Sequence, residues 1–181
     1  VIATYNVEKY ISKTIESVLN QSFKNVEIVI IDDGSTDGTL KILKEYSSKP
    51  NIIIEFREHT GNIGKNLNDC IKKASGDIIG ILGADDLWFP KKLEIQMDYL
   101  CKYNFVCSDK YIIDDSDSVV SFGGNLKNEE LGLENLLFRN DVLASSMIGF
   151  KEKFLECGLF DEEVGNRSED YALWLRITEK Y

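Results

Sequence analysis

The sequence predicts an α/β protein with a mainly parallel sheet and flanking helices, and three observations predict it. Short apolar, β-branched runs at 1–4, 26–31, 51–56 and 78–82 have the composition of strands buried on both faces. Stretches with helical apolar spacing separate them, and strand–helix alternation over short links implies right-handed parallel crossovers. Two of these strands run into paired carboxylates, Asp32-Asp33 and Asp85-Asp86. The C-terminal rim of such a sheet is where ligands bind.

The elements follow in order. Residues 1–4 form a first strand, which Tyr5-Asn6 break. Over 7–20, Tyr10, Ile11, Ile15, Val18 and Leu19 share one helical face. The second strand, 26–31, ends in Asp32-Asp33-Gly34-Ser35-Thr36-Asp37-Gly38-Thr39, a loop rich in capping residues and in glycine. A helix over 40–46, a strand over 51–56 and a helix over 62–74 lead to the strand before Asp85-Asp86. Pro90 suits the first position of a helix over 90–103, since its φ is already helical. Leu93, Met97 and Leu100 share that helix's inner face, and 105–107 make a fifth strand.

Beyond residue 110 the alternation stops. A hairpin over 111–122, a helix over 129–138, a strand over 142–150, a short helix ending near Gly158 and a last helix over 168–181 with Ser168 at its N-cap are expected. One domain over 1–181 results: a Rossmann-like, nucleotide-style half (1–110) and a smaller, irregular half (111–181) that would shape a second substrate site.

Composition narrows the function. The 181 residues are 43% hydrophobic and 29% charged, ordinary for a globular chain. A net charge of −10 argues against nucleic acid as a partner, because phosphate backbones need clustered Lys and Arg. Cys70, Cys101, Cys107 and Cys157 show no zinc spacing and are read as reduced thiols of a cytoplasmic protein. No apolar run approaches a membrane span. The missing initiator Met and the stop inside a helix are read as a trimmed chain, so peripheral association with the inner face of the membrane through further segments stays open.

Hard carboxylate oxygens at a strand end suit Mn²⁺ or Mg²⁺ brought in with substrate phosphates. Chain turning and helix capping are the structural alternative for the same acids. Other chemistries lack their motifs. A calcium loop starting at Asp33 would need an acid where Lys44 stands. GxGxxG, GxxxxGK[ST] and GxSxG are all absent. The single histidine, His59, reads as an exposed loop residue.

Several segments together resemble family 2 glycosyltransferases: Val1-Ile2-Ala3-Thr4-Tyr5-Asn6, Ser17-Val18-Leu19-Asn20-Gln21-Ser22, the Asp32–Thr39 loop, Ala74-Ser75-Gly76-Asp77, Ala84-Asp85-Asp86, Pro90-Lys91-Lys92-Leu93-Glu94 and Glu169-Asp170-Tyr171-Ala172-Leu173-Trp174-Leu175-Arg176. The resemblance implies a glycosyltransferase A-type fold and an inverting transfer from a nucleotide-sugar, with UDP as the favoured nucleotide, to a glycan or lipid-linked acceptor. By the same resemblance Tyr5 packs on the base, with Ala3 and Thr4 on the same wall, and Asp33 accepts from the uracil N–H. Asn62 and Lys65 then lie near base and phosphates, and Asp85 holds the Mn²⁺ or Mg²⁺. Asp86 faces the donor sugar or orients its loop, Asp170 is the catalytic base, and Glu169 sits on the acceptor side. The family's usual Asp-x-Asp-Asp departs here, because Gly83 stands at its first acid. That departure keeps a second class open, a binding module without turnover. A nucleotidyltransferase is a third class, disfavoured by the lack of a Gly-rich basic first loop.

Overall fold

The computed structural model describes residues 1–124, 130–164 and 168–181. Its first half runs β1 (Ile2–Thr4), α1 (Ile11–Leu19), β2 (Ile28–Asp32), α2 (Thr39–Tyr46), β3 (Ile52–Phe56), α3 (Ile63–Lys73), β4 (Ile78–Gly80), α4 (Lys92–Leu100) and β5 (Phe105–Val106). A hairpin follows, β6 (Lys110–Ile113) with β7 (Val119–Gly123), then α5 (Leu133–Phe138). The chain closes with β8 (Ile148–Phe150), α6 (Lys151–Glu156) and α7 (Glu169–Lys180).

Strands β1, β2 and β3 are parallel, with Ile2 opposite Ile30 and Ile30 opposite Ile54. Strand β8 lies antiparallel between β4 and β5. Two hydrogen bonds seam these sheets: Val1 N donates to Gly80 O (2.7 Å) and Leu82 N to Val1 O (3.1 Å). Strand β4 therefore runs beside β1, and the ends of β1, β2 and β4 share one rim.

Burial on both faces explains the apolar runs. Alternate β2 residues feed two cores: Val29 and Ile31 pack with Leu67, Ile71, Leu173 and Trp174. Ile28 and Ile30 pack with Ile11, Ile15, Val18 and Leu43. Period-2 side-chain alternation thus places α3 and α7 on one face and α1 and α2 on the other.

Three expected elements differ. The first helix begins at Ile11, not at residue 7: Asn6 is left-handed, with φ +52°, and residues 7–10 close only a turn, with Tyr10 N and Ile11 N both on Val7 O, while Asn6, Val7 and Glu8 donate their N–H groups to Ser35, Thr39 and Asp37 across the rim. Pro90 precedes the first residue of α4 by two positions; its carbonyl accepts from Ser22 N (2.7 Å) and Lys92 N closes a turn onto Phe89 O. The strand expected over 142–150 is formed only at Ile148–Phe150, because a 3₁₀ turn occupies Ala144–Ser146. Carbonyls of that turn accept from Trp88, Lys92 and Gln96 and are unavailable to a ladder. The helix expected over 129–138 is formed at Leu133–Phe138, and residue 129 lies outside the described residues. Among the described residues no helix is long and apolar enough to cross a membrane. All four cysteines are free thiols.

Candidate active site

The rim is organised by a loop-to-loop clamp. Asn6, with φ +52°, turns its side-chain oxygen to Thr36 N (2.8 Å), while its own N–H donates to Ser35 Oγ (2.9 Å). Asp32 is fully buried and accepts from Thr4 Oγ1 (3.0 Å), Ser35 Oγ (2.6 Å) and Ser35 N (2.9 Å). A buried carboxylate needs such donors to remain in the fold. The small hydroxyl residues of the Asp32–Thr39 loop are therefore architectural: they fix the exit of β2 against the exit of β1.

Asp33, one residue on, faces the other way. Its N–H donates to Thr4 O (2.8 Å). Its carboxylate accepts from Thr60 N (2.9 Å), Thr60 Oγ1 (2.8 Å) and Gly61 N (2.9 Å). Burial pushes its pKa up, but the hydrogen bonds from Thr60 and Gly61 outweigh this and hold the carboxyl below the usual carboxylate range. His59 Nδ1 lies 2.8 Å from Asp33 O and 3.1 Å from Asp33 Oδ2. The ring of Tyr5, 45% exposed, stacks on His59 with centroids 4.1 Å apart. His59 is exposed, as its loop position suggests, and it also joins Tyr5 to Asp33, a contact that no spacing in the sequence signals.

Gly34 makes this packing reachable. Its φ is +74°, and a Cβ there would stand 2.7 Å from His59 N. Both the left-handed backbone and the close approach select glycine. Gly34→Ala is expected to cost about 1–3 kcal/mol by displacing His59 and Asp33, and urea denaturation measures it.

The remaining residues expected on the donor side are placed as follows. Ala3 is half-buried on β1, whereas Thr4 is buried with its hydroxyl on Asp32. Asn62 is the N-cap of α3, its side chain accepting from Lys65 N (2.9 Å) and donating to Glu162 O (2.8 Å). Lys65 is exposed on the first turn of the same helix.

Past β4, Asp85 is exposed, and no hydrogen bond from the described residues engages its carboxylate. Asp86 is half-buried and accepts from Ser145 Oγ. Desolvation raises its pKa, Ser145 opposes the shift, neighbouring Asp85 adds to it, and the Lys110 ammonium counters it. Asp85, Asp86, Lys110, Tyr10, Lys13 and Tyr111 are among the residues lining a cavity of about 340 Å³ between α1, the acidic turn and the β6–β7 hairpin. The hairpin is pinned over α1 by Tyr10 Oη to Asp115 (2.8 Å) and Lys13 to Asp117 (2.6 Å).

Asp170 lies in the first turn of α7 and accepts from Tyr171 N (2.6 Å). Burial raises its pKa, partly offset by that N–H and by Lys110. Glu169 is also raised, chiefly by desolvation, and its buried Oε2 has no hydrogen-bond partner among the described residues. Ser168 occupies the N-cap position without a side-chain capping bond. The positive charge of Lys110 thus lowers the pKa of both Asp86 and Asp170 against the burial that raises them.

No group of three or more His, Cys, Asp or Glu side chains among the described residues could hold a cation by itself. The donor set does fit a Mn²⁺ or Mg²⁺ that arrives with phosphates. Such ions keep several waters and take one or two carboxylates plus substrate oxygens, and Asp85 is an exposed carboxylate without a hydrogen bond from the described residues.

The pattern of glycosyl transferase family 2 matches residues 1–159. The chain belongs to that family. Over 190 residues this family 2 chain is 30% identical to an Escherichia coli UDP-Glc:alpha-D-GlcNAc-diphosphoundecaprenol beta-1,3-glucosyltransferase, WfaP, covering 99% of this chain and 69% of that protein. It is 32% identical over 183 residues to the uncharacterized glycosyltransferase MJ1057 of Methanocaldococcus jannaschii, covering 97% of this chain and 62% of the relative. The chain spans only part of either relative. The fold is also that of S. aureus TarS 1-349, solved in complex with UDP-GlcNAc: TM-score 0.79, 24% identity, 98% of this chain and 52% of that one. The mainly parallel sheet with flanking helices is accordingly of the glycosyltransferase A type.

Proposed function

We propose that this family 2 chain carries an inverting, divalent-metal-dependent sugar transfer from a UDP-sugar to a hydroxyl of a glycan or lipid-linked acceptor. The observation that carries the reading is an exposed Asp85 just past β4, free of hydrogen bonds from the described residues, together with a half-buried Asp170 at the start of α7 that, like Asp86, feels the charge of Lys110. The UDP-sugar named for WfaP and the UDP-GlcNAc complex of TarS support the donor class. A Pyrobaculum calidifontis mannosyltransferase of the same fold, TM-score 0.61 and 21% identical, was solved with GDP-Man and Mn²⁺. It supports the cation and makes GDP the competing nucleotide.

On this reading residues 1–110 hold the donor and 111–181 the acceptor within one domain. Tyr5 lies against the base, beside Ala3 and Thr4, and the buried Asp33 meets the uracil N–H by exchanging one of its contacts to Thr60 or Gly61. Asn62 sets the start of α3 so that the exposed Lys65 reaches the diphosphate. Asp85 would hold the Mn²⁺ or Mg²⁺, which when bound neutralises charge growing on the leaving diphosphate. Asp170 takes the acceptor's hydroxyl proton as that oxygen attacks the anomeric carbon. The bond from anomeric carbon to phosphate oxygen breaks, and the nucleoside diphosphate leaves with its electron pair. Glu169 borders the acceptor. Free thiols support a reducing, cytoplasmic setting, with the inner face of the membrane as the place where lipid-linked acceptors are met.

A thermal-shift screen of UDP-, GDP- and dTDP-sugars with and without Mn²⁺ tests the reading. A ligand that binds only the folded state raises the melting point, by about 2.7 kcal/mol of stability at a hundred times its Kd. UDP-sugars with Mn²⁺ are expected to give the largest shift. A flat response to all three nucleotide classes refutes it.

A further inference from the structure

Position 83 has no room for a side chain. A Cβ built there would stand 2.9 Å from Asp86 Oδ2, 3.0 Å from Ser145 Oγ and 3.3 Å from Asp85 Oδ1. What fills that volume is a hydroxyl from far along the chain. Gly83 N donates to Ser145 Oγ (2.8 Å), and Ser145 Oγ donates in turn to Asp86 Oδ2. A serine hydroxyl has one proton and two acceptor lone pairs: a lone pair takes the Gly83 N–H, which can only donate, and the proton goes to the carboxylate.

The turn bearing Ser145 is held from behind. Trp88 Nε1 donates to Ser145 O (2.7 Å); Gln96 Nε2 and Lys92 Nζ donate to Ser146 O (2.9 and 3.1 Å). Lys92 also lies 4.3 Å over the Trp88 ring. Trp88 follows the acidic turn, and α4 supplies Lys92 and Gln96. Thus the segment after Asp86 anchors the very turn that grips Asp86. Such a closed loop of contacts fixes one rotamer of the carboxylate, in the way outer partners orient ligating groups.

We infer that Ser145 is a positioning residue: it holds Asp86 against Gly83, so that Asp85 alone is left for the cation and Asp86 offers its other oxygen to a hydroxyl of the donor sugar. This rests on the nucleotide-sugar reading above. The ionisable groups that share the cavity of Asp86 are Asp85 beside it, Lys110 of β6, Tyr10 before α1 and Lys13 on it, and Tyr111, Asp114, Asp115 and Asp117 of the hairpin. None of them supplies the contact Ser145 makes.

The test is calorimetric titration of the full chain with UDP and with UDP-GlcNAc, both with Mn²⁺, for the unaltered protein, Ser145→Ala, Ser145→Thr, Asp86→Asn and the Ser145→Ala/Asp86→Asn double variant. Ser145→Ala is expected to weaken UDP-GlcNAc about tenfold, the scale of one hydrogen bond to a charged group, and UDP by less than about twofold. Ser145→Thr, which keeps the hydroxyl, is expected to restore sugar binding. The double variant is expected to be no worse than Asp86→Asn, since Ser145 acts only through Asp86. Equal losses on UDP and UDP-GlcNAc, no loss on either, or additive losses in the double variant overturn the inference. Failure of the unaltered protein to bind UDP at all refutes the donor reading instead, and the inference with it.

Discussion

Asp170→Asn is expected to lower sugar transfer by about 10²–10⁴-fold, the usual contribution of a positioned general base, with nucleotide and Mn²⁺ binding unchanged. The amide keeps the local geometry, because its oxygen can still accept from Tyr171 N as the carboxylate does at 2.6 Å. It cannot accept the acceptor's proton. A single-turnover assay with UDP-sugar, paired with UDP titration of the same preparation, separates the two effects. Full transfer by the variant would remove Asp170 from the mechanism.

The same substitution carries a stability signature of opposite sign. Desolvation raises the Asp170 pKa above its ordinary value, with Tyr171 N–H and Lys110 opposing it. A raised carboxyl favours the folded state below the unfolded-state pKa, and that contribution is lost as pH rises through the folded-state pKa. At neutral pH ionised Asp170 therefore works against folding, and the neutral amide does not. Asp170→Asn is expected to melt at or above the unaltered protein at pH 7, and this advantage should fade under acid. Activity of the unaltered enzyme should lose its base on the acid side at a pH above the ordinary aspartate range. A variant less stable at pH 7 than at pH 4, relative to the unaltered chain, would contradict the desolvated state of Asp170.

Legibility in the sequence followed the range of the forces involved. The β2 strand was readable because five consecutive buried residues, Ile28–Asp32, leave an apolar run that only a strand covered on both faces needs. The α1 and α4 boundaries were misplaced because backbone contacts outside the apolar pattern decided them: the left-handed Asn6 and the turn closed on Val7 O delay α1, and Ser22 captures the Pro90 carbonyl. The strand expected at 142–150 failed for the same reason, three side chains from α4 and its approach having claimed the Ser145 and Ser146 carbonyls. At the site, the acids at 33, 85, 86 and 170 stood out as carboxylates at strand ends or a helix start. His59 and Ser145 did not, since a lone histidine and a serine in an apolar stretch carry no local signal. Their roles come from closeness to residues 54 and 59 positions away.

Asp85→Ala is expected to abolish the Mn²⁺-dependent part of UDP binding and to cut transfer by about 10²–10³-fold, as follows from several kcal/mol of lost charge stabilisation at 1.4 kcal/mol per tenfold. The magnitude follows from how little else there is. Asp86 already spends one carboxylate oxygen on Ser145, and no group of three or more His, Cys, Asp or Glu among the described residues could hold the ion instead, so one alanine removes the only exposed carboxylate of this turn. The fold should not register the change, because the Asp85 side chain is exposed and holds no hydrogen bond from the described residues. Without nucleotide, neither protein is expected to bind Mn²⁺ measurably, since one carboxylate without phosphates is too few ligands for a hard cation. Calorimetry in four arms, with and without Mn²⁺ for each protein, decides the matter. Mn²⁺ that strengthens UDP binding equally in Asp85→Ala and in the unaltered chain would move the cation away from Asp85. Tight Mn²⁺ binding without UDP would show that the ion is caged by protein ligands and not carried in on the diphosphate.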